Sequence, residues 1–217
     1  VKERLPRNPT VLETATIGKY GGILYQASLG VNQYFDMAHT HEVYMFVPNN
    51  AGTALQPDAA ESYEISADAM EVTLKLRLGM KWSDGEPFTA KDFVYWYEDV
   101  VMNDDLTKVK PSWFRTGGKV GSLTMVDDYT FKMTFETPNG LLIKNLAGGA
   151  GFFFPPAHYM KQFHIKYNKE EVEAAVAEAK LQDWMAYYTQ KNDYPQNADR
   201  PTILAWAVTQ GYGAGDA

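Results

Sequence analysis

The donor types a metal ion takes are most concentrated at His39-Thr40-His41-Glu42, where two imidazoles two positions apart and a carboxylate suit zinc or nickel. In a segment that reads as a loop, the expectation is surface histidines, with no metal and no cofactor. Two other histidines, His158 and His164, sit in PPAHYMKQFH. Tyr159 and Phe163 make that stretch a short amphipathic helix, and its histidines bond backbone or water at the helix ends. Asp104-Asp105 and Asp127-Asp128 are paired carboxylates, but both fall where turns are expected and where Asp is favoured by bonding nearby amides. Gly117-Gly118-Lys119-Val120 lacks the Ser or Thr and the upstream glycine spacing of a phosphate-binding loop. No Gly-x-Ser-x-Gly elbow is present, and nothing aligns a nucleophile with a base. The chain is therefore read as a non-enzyme.

Aromatic residues offer a different chemistry, that of holding a solute. Trp113 and Phe114 lie in Lys110-Pro111-Ser112-Trp113-Phe114-Arg115, an irregular stretch between a helix and a hairpin. Gly148-Gly149-Ala150-Gly151 lets a backbone approach another surface closely, and Phe152, Phe153 and Phe154 follow it. Core packing is the reading for that run, with one ligand-facing ring as the alternative.

The elements that position these residues are clearest between Glu71 and Val101. Val72, Leu74, Leu76 and Leu78 alternate with polar residues, the two-residue period of a strand with one buried face. Trp82-Ser83-Asp84-Gly85 supplies turn chemistry, and Pro87 stops further pairing. Thr89 with Asp92 three residues on reads as a capping box that opens a helix, with Phe93, Trp96, Tyr97, Val100 and Val101 as its apolar stripe. Further along, residues 122–126 and 130–136 form a hairpin turned at Asp127-Asp128, and Leu141 to Leu146 a short helix. Asn168 with Glu171 reads as a second capping box, and a last helix runs from Leu181 to about Gln190, burying Leu181, Trp184, Met185 and Tyr188. Ile23 to Ser28 is a short strand, followed by a loop from Gly30 to Asp36.

With 217 residues and 45% hydrophobic content, the chain has enough apolar mass for a core. Twenty basic residues against 27 acidic ones leave a formal charge of −7, which argues against nucleic acid or an anionic membrane as the main partner. There are no cysteines, hence no disulfides and no thiolate metal site. No run approaches the roughly 18 apolar residues of a membrane span.

The spelling of these elements carries a resemblance. Ala60-Glu61-Ser62-Tyr63-Glu64-Ile65-Ser66, Leu76-Arg77, Lys81-Trp82-Ser83-Asp84-Gly85 and Pro87-Phe88-Thr89-Ala90-Lys91-Asp92-Phe93 strongly resemble the signature of the family 5 extracellular solute-binding proteins. These are the oligopeptide- and nickel-type receptors of bacterial ABC importers. A second block, Val126 to Phe131, Pro156 to His164 and Arg200-Pro201-Thr202-Ile203-Leu204, continues it in order.

The resemblance implies an α/β chain forming the N-terminal lobe of a type II periplasmic-binding-protein-like fold, with a mixed sheet, hairpins and packed helices. Residues 1–35 with 148–217 would form part of the ligand-facing lobe, 36–147 a smaller α/β subdomain, and a second lobe would lie outside this chain. It further implies a receptor outside the cytoplasm, periplasmic or extracellular and lipid-anchored in some settings. Its partners would be a peptide or similar small solute and ABC permease subunits, with oligosaccharide as the alternative ligand. Gly30 and Asn32 at the end of the first strand, Trp113 and Phe114 in the loop, and Trp206 beyond Arg200-Pro201 are then the candidate substrate-binding residues. A secreted hydrolase or a sensory module built on the same subdomain are the rival readings.

Overall fold

The computed structural model describes residues 6–8, 43–49, 52–147 and 154–204. Strands β1 (Phe46–Pro48) and β2 (Leu55–Pro57) form a small ribbon. β3 (Ala60–Ile65) and β4 (Glu71–Leu76) follow as a hairpin. Helix α1 (Ala90–Tyr95) continues directly into a π-helical segment, Trp96–Val101. A 3-10 turn at Ser112–Phe114 leads to the short ribbon β5 (Arg115–Thr116) and β6 (Lys119–Val120), then to β7 (Ser122–Asp127) and β8 (Thr130–Thr134). The remaining helices are α2 (Leu142–Leu146), α3 (Ala157–Met160) running into a 3-10 turn at Lys161–Phe163, α4 (Lys169–Glu178) and α5 (Trp184–Asn192).

The main sheet has the order β3-β4-β8-β7, and among the described residues every strand pair is antiparallel. The alternation seen in the sequence fixes its faces. Val72 lies opposite Met133, Leu74 opposite Phe131 and Leu123 opposite Met133, and all five are buried. Glu64, Thr73, Lys132 and Thr124 cross the sheet on the other face. The helix closes the apolar side. Phe93 stacks on Phe131 with ring centroids 4.3 Å apart and planes 22° from parallel, and Phe88 and Phe154 pack against Phe93 from above. Fully burying each such ring is worth roughly 1.5–3 kcal/mol, which holds the helix to the sheet. The strand ends at Leu76, earlier than its pattern promised, because Arg77 turns inward. Arg77 is buried and its guanidinium donates to three backbone carbonyls, those of Asp58 at 2.5 Å, Pro57 at 3.4 Å and Asn8.

The capping box at the start of α1 is complete. The Thr89 hydroxyl accepts from Lys91 N, while the Asp92 carboxylate accepts from Thr89 N at 3.0 Å. Gly85, in the turn before it, has φ 97°, the left-handed conformation expected of that glycine. Two helix starts differ from expectation. Asn168 makes no capping bond to α4; its amide instead donates to Gln162 O at 3.3 Å. Asp183, not Leu181, opens the last helix by accepting from Ala186 N at 2.8 Å, and of the four residues expected to be buried there only Tyr188 is.

A second apolar cluster joins α1 to the later helices through Tyr95, Ala157, Met160 and Tyr188. At its centre the hydroxyls of Tyr95 and Tyr188 lie 3.0 Å apart, which satisfies two phenols that no water reaches.

Candidate functional site

The loop singled out by its aromatic residues folds down onto the end of α1. Trp113 is half-buried and stacks on Trp96, with centroids 5.6 Å apart and planes 14° from parallel. Phe114 is fully buried: it meets Trp96, Tyr97 and Phe135 edge-on and belongs to the main core. An irregular backbone thus does place one ring of this pair in regular packing, because the 3-10 turn directs Phe114 inward as it carries Trp113 across the surface. Asn139 Nδ2 donates to Trp113 O at 3.1 Å and pins the turn. Gly121 makes room for the arrangement. A Cβ there would sit 2.7 Å from the Phe135 ring and 3.3 Å from that of Phe114. Gly30, Asn32 and Trp206 lie outside the described residues, as do His39, His41 and Glu42, the Gly148 to Gly151 run, and Phe152 and Phe153.

The signature segment and the PPAHY segment meet at Asp92. Its Oδ2 accepts from Thr89 N and from Trp82 Nε1 at 3.3 Å, and its Oδ1 accepts from Ala157 N at 2.9 Å. Burial pushes the carboxyl above its usual range, against the pull of those three donors. Beside it, His158 Nε2 bonds Asp84 Oδ2 at 2.7 Å, so this histidine pairs with the turn rather than with backbone or water. Ser83 completes the seam by accepting from Thr202 N at 3.1 Å and donating its own N–H to Thr202 O at 2.8 Å. These bonds join three stretches of chain into one hydrogen-bonded unit. None of them aligns a nucleophile with a base.

His164 is 1% exposed and is held from both sides. Its Nδ1 accepts from Lys166 N at 3.2 Å, which leaves the proton on Nε2 to be donated to Asp99 O at 3.0 Å. That carbonyl belongs to the π-helical turn, where hydrogen bonds reach five residues back, as in Met102 N to Tyr97 O at 2.9 Å. The neighbouring Asp99 carboxylate takes Lys166 Nζ and the Tyr167 hydroxyl, each at 2.5 Å. The expectation that His164 bonds backbone at a helix end describes what is found. What sequence reasoning missed is a cavity of about 130 Å³ beneath the Trp82 turn, lined by Arg200 and Asn192 among others. In the sequence Arg200-Pro201 carries part of the family resemblance and gives no sign of the cavity.

A model of the bacterial extracellular solute-binding proteins, family 5, matches residues 54–203. The chain belongs to this family. The solved structure of an oligopeptide-binding protein OppA superposes with a TM-score of 0.88 at 35% identity, over 98% of this chain and 33% of that one. Among curated family 5 relatives, the periplasmic alpha-galactoside-binding protein of Rhizobium meliloti (strain 1021) is 28% identical over 193 residues, 77% of this chain and 27% of the relative. The periplasmic binding protein MelB of Agrobacterium fabrum C58, solved with stachyose, matches at TM-score 0.56 and 26% identity over 79% of this chain and 24% of that protein. This family 5 chain therefore spans about a third or less of the length of these relatives. The OppA superposition identifies the fold as the type II periplasmic-binding architecture that the signature implied.

Proposed function

We propose that this chain supplies one wall of a solute clamp, the substrate-binding component of an ABC importer working outside the cytoplasm. The observation that carries the reading is the superposition on OppA across nearly the whole chain. The solute is a peptide or similar small molecule, closed between this lobe and a second one, and delivered to permease subunits. Two lobes closing about a hinge bury such a ligand, so that shape, polar contacts and water exclusion set its affinity. Residues 1–35 with 148–217 form the ligand-facing part and 36–147 the smaller subdomain. Gly30, Asn32, Trp113 and Trp206 face the solute, and Phe114 supports the Trp113 ring from the core. The protein binds without turnover.

Oligosaccharide is the second reading, favoured by the alpha-galactoside-binding relative and by the stachyose-bound MelB. Flat aromatic faces such as that of Trp113 suit sugar rings as well as apolar side chains. Mass spectrometry of the solute that co-purifies with the whole receptor distinguishes the two. Peptide masses support the first reading and hexose oligomers the second. Hydrolysis of either by the purified protein would overturn the clamp.

A further inference from the structure

The cavity beneath the Trp82 turn brings together groups to which the receptor reading gives no individual role. Arg200 lines it with Asn192, Tyr194 and Thr202, while Trp82 and Phe154 form an apolar wall. The guanidinium is held in place from one side: Nε donates to Asn192 Oδ1 at 3.0 Å and Nη1 to Pro201 O at 3.3 Å. Among the described residues no carboxylate lies within 4.0 Å of it, and Nη2 has no hydrogen-bond partner. Asp193 attracts it only at longer range, and its carboxylate accepts from Gln196 Nε2 at 2.9 Å. Arg200 is half-buried, and desolvation brings its pKa down to about 10 against the pull of Tyr188, Tyr194, Tyr159 and Asp193. An arginine is ordinarily placed in such surroundings with a carboxylate on its fork, since the fork matches two oxygens at once.

We propose that this cavity is a binding site for a small organic carboxylate, whose two oxygens take the free side of the Arg200 fork and whose carbon chain lies against Trp82 and Phe154. Arg200 is the single cation among the described residues that line the cavity, which favours a monoanion, and the apolar wall favours an organic acid over phosphate or sulfate. The size agrees: a cavity of roughly 150 Å³ holds a benzene molecule, and the 130 Å³ here suits an acid of similar heavy-atom count, such as butyrate. The carboxylate has two possible sources, a free short-chain acid or the terminus of a peptide. The site does not depend on the receptor reading and its failure would leave that reading intact.

The test is a titration of the ¹⁵N-labelled chain with sodium butyrate, acetate and phosphate at constant ionic strength, followed by the Arg200 Nε–H resonance and the amides of Thr202 and Leu204. Saturable shifts are expected with butyrate, weaker ones with acetate and none with phosphate. Arg200→Gln should abolish them. If that variant loses its dispersed spectrum, Arg200→Lys, which keeps the charge but not the fork, should weaken butyrate binding about tenfold. A valine-terminated tripeptide and its C-terminal amide separate the sources: shifts with the acid alone assign a peptide terminus, and shifts with butyrate alone a free acid. Unsaturable shifts, equal shifts with phosphate, or butyrate shifts unchanged in Arg200→Gln or Arg200→Lys would each overturn the site.

Discussion

Asp92 Oδ1 accepts a hydrogen bond from Ala157 N at 2.9 Å across 65 positions of sequence. One carboxylate thereby closes the first turn of α1, holds the Trp82 indole and satisfies an amide at the start of α3. Family 5 signature blocks that look separate in the chain are one hydrogen-bonded object.

Removing that carboxylate leaves three donors buried without a partner, each costing about 1–3 kcal/mol before relaxation. Asp92→Ala is therefore expected to lose about 3–4 kcal/mol in urea denaturation at neutral pH, allowing for water entering the gap. Asp92→Asn keeps one acceptor but turns an amide N–H toward a donor, and should lose somewhat less. A loss below about 1 kcal/mol for Asp92→Ala would show that the three bonds are dispensable.

The half-buried Asp58 and the buried His164 give opposite pH responses. Burial raises Asp58 from 3.8 to about 6, the Arg77 charge opposing it, while the carboxylate accepts from Tyr44 N at 3.0 Å. Its protonated form is the one the fold prefers. The contribution is complete below pH 3.8 and is lost as pH rises through about 6, a change of about 3 kcal/mol. Asp58→Asn should remove this decline when denaturation is followed across the interval.

His164 behaves in the reverse sense. Burial lowers its pKa from 6.5, more than the Asp99 backbone bond and charge raise it, with the Lys166 charge adding to the lowering. Its neutral form is therefore part of the fold. The stability it confers is complete above pH 6.5 and is lost as pH falls through the folded value. Acidification should strip the Nε2–H bond to Asp99 O of its matched partner at Nδ1, which then carries a proton against the Lys166 amide. Long-range ¹H–¹⁵N correlation at neutral pH should show the Nε2–H tautomer, and observation of Nδ1–H would contradict the assignment.

Legibility in the sequence followed the range of the interactions. The alternation of Val72, Leu74 and Leu76 and the Thr89–Asp92 capping box depend on residues within a few positions, and both were readable. Asp183 was missed because no acid or amide stands three residues on to complete a box, and the apolar Leu181 drew the helix reading backward. The π-helical turn has no local spelling; it is set by packing and by His164, which reaches it from 65 positions away. The Arg200 cavity is assembled from segments around residues 43, 82, 154, 192 and 200–204, so no window of sequence contains it.

Trp113 and Phe114 are adjacent in sequence, and mutating them separates holding the loop from holding a solute. Phe114 has no exposed surface, and Phe114→Ala should cost about 3–5 kcal/mol, the usual penalty for emptying a buried aromatic site. Gly121→Ala strains the same pocket from the other side, where its Cβ would stand 2.7 Å from Phe135, and should cost about 1–3 kcal/mol. Trp113 keeps part of its surface and, among the described residues, stacks on Trp96 and meets Phe114 at a tilt, so Trp113→Ala should cost only about 1–2 kcal/mol. If its outer face meets the solute, the whole receptor carrying Trp113→Ala should bind at least tenfold more weakly by calorimetry while its denaturation midpoint moves little. Unchanged affinity would reduce Trp113 to a cover over the end of the π-helical turn.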